Sequence, residues 1–335
     1  MKKVILGKTG LEVSKAGFGV LTVGATQLNL SVDEGAEVLR YALEKGINFL
    51  DTAQYYRTYP YIRKALEGTN FEPVICSKCL KPGYRDMVEA IEEARRELNR
   101  DVIDIFLLHE LTTVKEYEFR AAAMQALVDA KEKGWIKHIG ISTHYVDVAS
   151  FMAEQPEIEV IFPLINYMSL GIRDNRSADG TGTRADMAAA IRRAAANGKG
   201  VFGMKAFGGG NLTGSYREAL DYVYGLEGLD CMMIGMGKKK EVDDICAYID
   251  GTLSLDYTPD ISQKRIFIDQ GDCEGCGACI QRCPSKAIAF NSNGLAEVNH
   301  DICLTCGYCA PVCPARAIIM LDKRHPENKC SGMHR

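Results

Sequence analysis

No apolar run in the 335 residues approaches the ~20 that a helix needs to cross a bilayer. No membrane partner is therefore expected. Neither charge dominates: 40 Lys and Arg stand against 44 Asp and Glu, a net charge of −4. The basic field that holds nucleic acid is missing, so no nucleic-acid partner is expected. Lys2 and Lys3 are followed by no long apolar segment or small-residue cleavage site, so no signal peptide is expected. A Gly-rich dinucleotide turn is also lacking. Gly17 and Gly19 in KAGFGVLTVG do not have G-x-G-x-x-G spacing, which argues against an open doubly wound sheet. Tryptophan occurs once. Apolar residues (47%) and charged residues (25%) are in ordinary globular proportion. The length allows one large domain and one small one.

Cysteine, by contrast, is plentiful. There are 13, and eight fall between Cys273 and Cys313. An odd total with C-x-x-C spacing points to metal ligation in a reducing compartment rather than to a secreted disulfide framework. A cytoplasmic location is the expectation. The eight form two runs: Cys273, Cys276, Cys279 and Cys283 before Pro284, then Cys303, Cys306, Cys309 and Cys313 before Pro314. Their flanks repeat as well, DCEGCGACIQRCPSKAI against DICLTCGYCAPVCPARAI. Three close thiolates cover one face of an iron–sulfur cubane, and the fourth ligand has to come from the other run. Cys313 is thus expected to join Cys273, Cys276 and Cys279, and Cys283 to join Cys303, Cys306 and Cys309. A pair of zinc sites is the alternative that sulfur ligands alone leave open. The run beyond residue 322, with Pro326 and Cys330, reads as a polar tail.

Residues 33–258 alternate short apolar runs with amphipathic segments. Strands are expected at 13–19, 47–52, 73–78, 102–109, 136–142, 158–166, 200–207 and 231–236. Helices are expected at 33–45, 60–68, 85–99, 119–133, 145–153, 184–197, 215–224 and 239–249, the seventh being RADMAAAIRRAAANGKG's successor and the sixth ending before Gly198. Eight strand–helix units of about 30 residues suit a closed (β/α)8 TIM barrel. The C-terminal ends of its strands share one mouth. Four of those ends carry polar residues in apolar text: Asp51 with Tyr55 and Tyr56, Lys78, His109 with Glu110, and Ser142 with His144. A lysine cation beside a phenol lowers its pKa, an aspartate holds the lysine, and a histidine orients the proton. Such a set suits protonation of an alkoxide as a hydride reaches carbon. Tyr55 and Tyr56 compete for the acid role, since adjacent side chains point in different directions. Cys76 and Cys79 flank Lys78, and i, i+3 positions on a strand face opposite sides, so both are read as buried thiols.

Residues 269–322 resemble the bacterial two-cluster ferredoxins, with all eight ligands matched. Residues 1–260 resemble the aldo/keto reductases. The DTAxxY signature stands at Asp51–Tyr56, and Lys78 in SKC and His109 in LLH match the family's lysine and histidine. The resemblance implies that Tyr56 is the general acid, with Asp51, Lys78 and His109 completing the catalytic set. It also implies NADPH or NADH as cofactor. Ser142 in GIS corresponds to a residue that holds the nicotinamide carboxamide, with Thr143 where the family has Asn, and Asn166 following. Met204 and Lys205 stand where an aromatic usually stacks on nicotinamide, and Gly237, Lys238 and Lys239 where the adenosine phosphate is clamped. A flavin would also bridge one-electron and two-electron chemistry. The whole chain is thus expected to be an α/β barrel with a C-terminal α+β ferredoxin-like two-cluster domain and a tail at 323–335. The expected function is a carbonyl–alcohol oxidoreductase acting on a small molecule and exchanging electrons with an external ferredoxin or another carrier. A reductase with a purely structural or docking ferredoxin domain, and a non-catalytic electron-transfer protein, are the alternatives.

Overall fold

The computed structural model describes residues 1–322 except Thr26, Gln263, Pro284, Leu304 and Cys306, with Leu321 and Asp322 described in backbone only. Cys306, Cys330 and the polar tail lie outside the described residues. The chain opens with an antiparallel hairpin, β1 (Lys3–Ile5) and β2 (Glu12–Ser14). Sequence reading did not separate β2 from the strand that follows. Eight parallel strands then close a barrel: β3 (Ala16–Gly19), β4 (Phe49–Asp51), β5 (Val74–Cys79), β6 (Ile103–Leu111), β7 (Ile136–Thr143), β8 (Val160–Pro163), β9 (Gly200–Gly203) and β10 (Cys231–Ile234). Each neighbours the next in chain order, and β10 pairs back onto β3.

The helices are α1 (Val32–Glu44), α2 (Tyr59–Leu66), α3 (Tyr84–Leu98), α4 (Val114–Phe119), α5 (Ala121–Glu132), α6 (Val146–Met152), α7 (Arg184–Ala196), α8 (Tyr216–Tyr224) and α9 (Lys239–Ile249). They start where local chemistry satisfies free N–H groups. Ser31 and Glu34 form a reciprocal capping box at α1, and Thr113 and Thr183 cap α4 and α7. The α4 turn was not anticipated, because its apolar residues are too few to show a period.

Strand alternation divides the apolar residues between two layers. Phe49, Cys76, Leu107, Phe162, Phe202 and Met233 fill the barrel interior. Leu50, Ile75, Phe106, Ile141, Ile161 and Ile234 face the helices. Leu6 and Val13 of the hairpin join the interior cluster and plug its N-terminal floor. Gly140 is required by the close approach of β7 to β8, where a Cβ would strike the Val160 carbonyl.

The C-terminal α+β region pairs β11 (Lys264–Ile268) with β14 (Ile318–Asp322), and β12 (Ile288–Phe290) with β13 (Ala296–Val298), around the short α10 (Ala278–Arg282). It packs over the C-terminal end of the barrel. Met320 N donates to Gly209 O at 2.9 Å, Asn211 Nδ2 to Ile318 O at 3.2 Å, and Arg173 Nη1 to Pro314 O at 2.7 Å. No helix among the described residues is long and apolar enough to cross a membrane.

Candidate active site and cysteine cradle

Strand period positions three of the four expected catalytic residues. Phe49, Cys76 and Leu107 point into the barrel, and two residues further on, at the mouth, come Asp51, Lys78 and His109. Lys78 Nζ donates to Asp51 Oδ1 at 2.5 Å and to Thr52 O at 2.7 Å. The pair is buried, with side chains 1% and 7% exposed. Tyr56 rides on a single 3-10 turn after β4, ended by Arg57 at φ 55°. Its hydroxyl lies 3.2 Å from His109 Nε2, and Lys78 Nζ sits 4.8 Å from its ring centroid. Tyr56 is half-buried, so solvent reaches the mouth.

Burial raises the Tyr56 phenol well above its ordinary pKa, helped by the charges of Asp51, Glu110 and Asp272. This departs from the expected lowering by Lys78. The reason is that burial disfavours the phenolate more than any nearby charge favours it, and Asp51, in direct contact with the ammonium, adds negative charge beside the phenol. Burial also raises the Asp51 carboxyl, although Lys78 opposes it. The site therefore keeps a neutral phenol hydrogen-bonded to an imidazole, the protonation state that a proton donor requires.

The residues expected around nicotinamide differ in availability. Ser142 is buried, and its Oγ accepts from Glu110 N at 2.8 Å, leaving the hydroxyl proton for another acceptor. Thr143 Oγ1 donates to Leu111 O at 2.7 Å and accepts from Tyr145 N at 3.0 Å. Asn166 closes its own loop, bonding Leu170 through both ends of its amide. Met204 follows the interior residue Phe202 by one strand period and touches His144 Nε2 through sulfur at 3.3 Å. Lys205 is half-buried at φ 63°. Gly237 N is held by Glu241 at 2.8 Å, Lys239 pairs with Glu37 at 2.5 Å, and Lys238 is the N-cap residue of α9. The lysine run is thus partly spent on carboxylates. A surface hollow of about 550 Å³ between α7 and α8, lined by Tyr167, Arg184 and Arg217, contains none of the four catalytic candidates.

Two features escaped sequence reading. Arg120, at the α4–α5 junction, is buried and donates to His109 O at 2.8 Å and Cys79 O at 2.7 Å, tying the ends of β5 and β6 together. Nothing in EFRAAAM distinguishes it from a surface arginine. Arg316 comes from the C-terminal region and inserts between Glu110 and His144 at the mouth. Only the relative placement of the two regions reveals it.

The Cys76 thiol lies in the barrel interior, and Cys79 in the layer beneath the helices, on opposite faces of β5. In the C-terminal region Cys313 lies among thiols of the first run. Burial raises Cys279, and Cys313, Cys273 and Cys276 act on it next. Backbone amides point at sulfur: Ala287 N at Cys283 (3.2 Å), Ala296 N at Cys273 (3.4 Å) and Thr305 N at Cys303 (3.5 Å). Among the described residues no three His, Cys, Asp or Glu side chains converge on a single ion. Neighbouring thiols with amide donors suit a larger sulfur-ligated group, whose negative charge such donors offset.

Residues 15–229 match the model of the aldo/keto reductase family, and residues 266–321 match that of a 4Fe-4S dicluster domain. The chain is 26% identical to L-galactose dehydrogenase of Arabidopsis thaliana over 186 residues, 52% of this chain and 58% of that protein. It is 32% identical to a probable aldo-keto reductase of Glycine max over 158 residues, 42% of this chain and 45% of that protein. The chain thus spans about half the length of these relatives. A putative aldo-keto reductase from Pseudomonas aeruginosa superposes with a TM-score of 0.62 at 23% identity, covering 75% of this chain and 95% of that one. That likeness is one of fold.

Proposed function

We propose, for a chain that belongs to the aldo/keto reductase family through residues 15–229, that the barrel interconverts a carbonyl and an alcohol at Tyr56. The observation that carries this reading is the Tyr56 hydroxyl at 3.2 Å from His109 Nε2, above the buried Lys78–Asp51 pair. A bound NAD(P)H would supply the hydride to the carbonyl carbon. Ser142, with its free hydroxyl proton, and the apolar Met204 are the residues that fit its nicotinamide. As the carbonyl π bond breaks, the oxygen takes the Tyr56 proton. His109 and solvent at the mouth restore that proton. Lys78 stays fixed on Asp51 and Thr52 O, and stabilises negative charge developing on oxygen without moving. Arg120 holds the His109 carbonyl and so keeps the imidazole in register.

The cysteine runs hold a pair of [4Fe–4S] clusters in this reading. One takes Cys273, Cys276, Cys279 and Cys313, and the other Cys283, Cys303, Cys306 and Cys309. Bound, they supply single electrons. Ile302 and Tyr308 beside the second run are 47% and 54% exposed, an apolar surface suited to an external electron carrier. A second reading, in which the C-terminal region is structural, rests on its packing over the barrel mouth.

Tyr56→Phe is the test. Turnover with aldehydes and ketones is expected to fall by about a thousandfold, within the range for loss of a general acid, with the visible absorbance of the clusters unchanged. Turnover within threefold of the parent would end the reading. Anaerobic reduction followed by substrate addition separates the two roles of the clusters. Reoxidation at the turnover rate supports electron exchange, and clusters that stay reduced support the structural role.

A further inference from the structure

The mouth of the barrel contains two cations that the catalytic set does not use. Arg316 belongs to the C-terminal region, and its side chain is only 11% exposed. Nη2 lies 3.4 Å from Glu110 Oε1 and contacts His144 Nδ1. Nη1 is buried and has no hydrogen-bond partner among the described residues. The geometry also sets the His144 tautomer: Nδ1 accepts from the guanidinium, so Nε2 carries the proton toward the Met204 sulfur. Lys205 is the residue after Met204. It is half-buried and held at φ 63°, a conformation that costs a non-glycine residue energy. Its ammonium makes no hydrogen bond or ion pair with any described residue.

Met204, the residue before Lys205, touches the same His144 that Arg316 contacts, and Glu110, the partner of Arg316, follows His109, which faces the phenol. Burial, and then the charge of Arg316, push Lys205 down to about 8, with Asp272, Glu110 and Asp269 opposing. Glu110 and Asp272 also act on Tyr56 and on Arg316. These carboxylates offset part of the positive charge, while Arg316 Nη1 and the Lys205 ammonium keep donors that an anion can accept. The surrounding chain fixes Arg316 there. Arg173 donates to Pro314 O at 2.7 Å and Gly180 O at 2.9 Å, which anchors the turn before Arg316. Gly171 packs on the arginine stem, where a Cβ would collide with Cγ and Cδ.

We propose that Lys205 of the barrel and Arg316 of the C-terminal region form one carboxylate-binding subsite beside Tyr56, so that the substrate is a small oxo acid or hydroxy acid. Nη1 of the planar guanidinium and the ammonium offer donors to a carboxylate, and Glu110 keeps the other edge of the guanidinium oriented. The carboxylate then fixes the neighbouring carbonyl against the phenol. The role of the carbonyl rests on the proposed function, but the anion site does not. The same donors would suit a phosphate of a dinucleotide. A carboxylate is favoured because the β14 backbone already packs on the adjoining loop through Met320 N and Gly209 O, and Glu110 would repel a second negative charge.

The test is calorimetric titration of the full, cluster-loaded chain with oxamate, a carboxylate joined to an unreactive carbonyl. One oxamate is expected to bind per chain. Lys205→Gln and Arg316→Gln should each weaken it about tenfold or more, as expected for hydrogen bonds to a charged group. Tyr56→Phe should bind oxamate within threefold of the parent while losing turnover, which separates this proposal from the reading of the catalytic acid. Should Arg316→Gln loosen the C-terminal region, seen as altered cluster absorbance, Lys205→Gln decides alone. Pyrophosphate is titrated in parallel. No oxamate binding, binding that Lys205→Gln leaves unchanged, or pyrophosphate binding lost in Lys205→Gln while oxamate fails to bind would each overturn the carboxylate site.

Discussion

Tyr56 owes its protonation state to its neighbours. Burial and the Asp51 carboxylate keep the phenol neutral well beyond its ordinary range. Carbonyl reduction needs the protonated phenol, so its rate should not fall through loss of this proton between pH 7 and 10. Asp51→Asn removes the strongest of the negative charges acting on the phenol and leaves the Lys78 ammonium uncompensated beside it. Both changes lower the phenol pKa. The expected outcome is an alkaline limb in the pH profile of kcat/KM that the parent lacks; an unchanged profile would count against this account of the field. The same pair has a structural side. Lys78→Met strands a buried carboxylate and should destabilise the barrel by roughly 3–5 kcal/mol. The single tryptophan, Trp135 just before β7, reports this as a shift in the urea midpoint of its fluorescence.

At the level of elements, the base of β7 and β8 is fastened by one carboxylate. Glu159 accepts from Lys131 Nζ at 2.5 Å and from Ile139 N at 3.1 Å, and meets His138 Nδ1 at 2.8 Å. Burial alone would raise this carboxyl, but the hydrogen bonds of His138, Lys131 and Ile139 outweigh it and bring it down to about 2 from 4.5. The folded form thus holds its charge where the unfolded chain has begun to protonate. Its stabilisation is present above about pH 4.5 and is lost as pH falls toward 2. A shift of that size corresponds to roughly 3 kcal/mol. Glu159→Gln should lower the urea midpoint at pH 7 and flatten its decline between pH 5 and 3. At the opposite end, Arg120 fastens β5 to β6, and its loss would free the strand ends that carry Lys78 and His109.

On the scale of the whole molecule, the C-terminal region closes over the barrel mouth and mixes its own charges with the candidate catalytic set. Cys313 of the second run likewise lies near enough to Cys279 of the first to act on its thiol. If Cys313 completes the site of Cys273, Cys276 and Cys279, Cys313→Ser should strip one cluster, from about eight irons per chain to about four, since each cubane carries four. Iron and sulfide analysis after anaerobic purification measures this. Loss limited to the site of the second run would refute the exchange of ligands between repeats. Removal of both clusters should loosen the loop before Arg316, and oxamate affinity should fall with it.

The strand and helix periods were readable in the chain because alternation of two and of 3.6 is set by local geometry. The eight barrel strands lie where apolar runs stand, and the ends of α1 and α7 lie where their caps are written. The Cys-x-x-Cys spacing was equally local. The convergence of Asp51, Tyr56, Lys78 and His109 followed from closure of the barrel, once residue parity placed three of them facing inward. The direction of the Tyr56 shift was not readable, because it depends first on how the fold buries the phenol and then on which carboxylates it gathers there. Nor were the positions of Arg120 and Arg316. A buried arginine and an exposed one look alike in sequence, and Arg316 meets Glu110 across 206 residues of chain. Composition and spacing determined the barrel and the cysteine runs. Docking of one region on the other, a matter of surfaces far apart in the chain, decided which charges share the mouth.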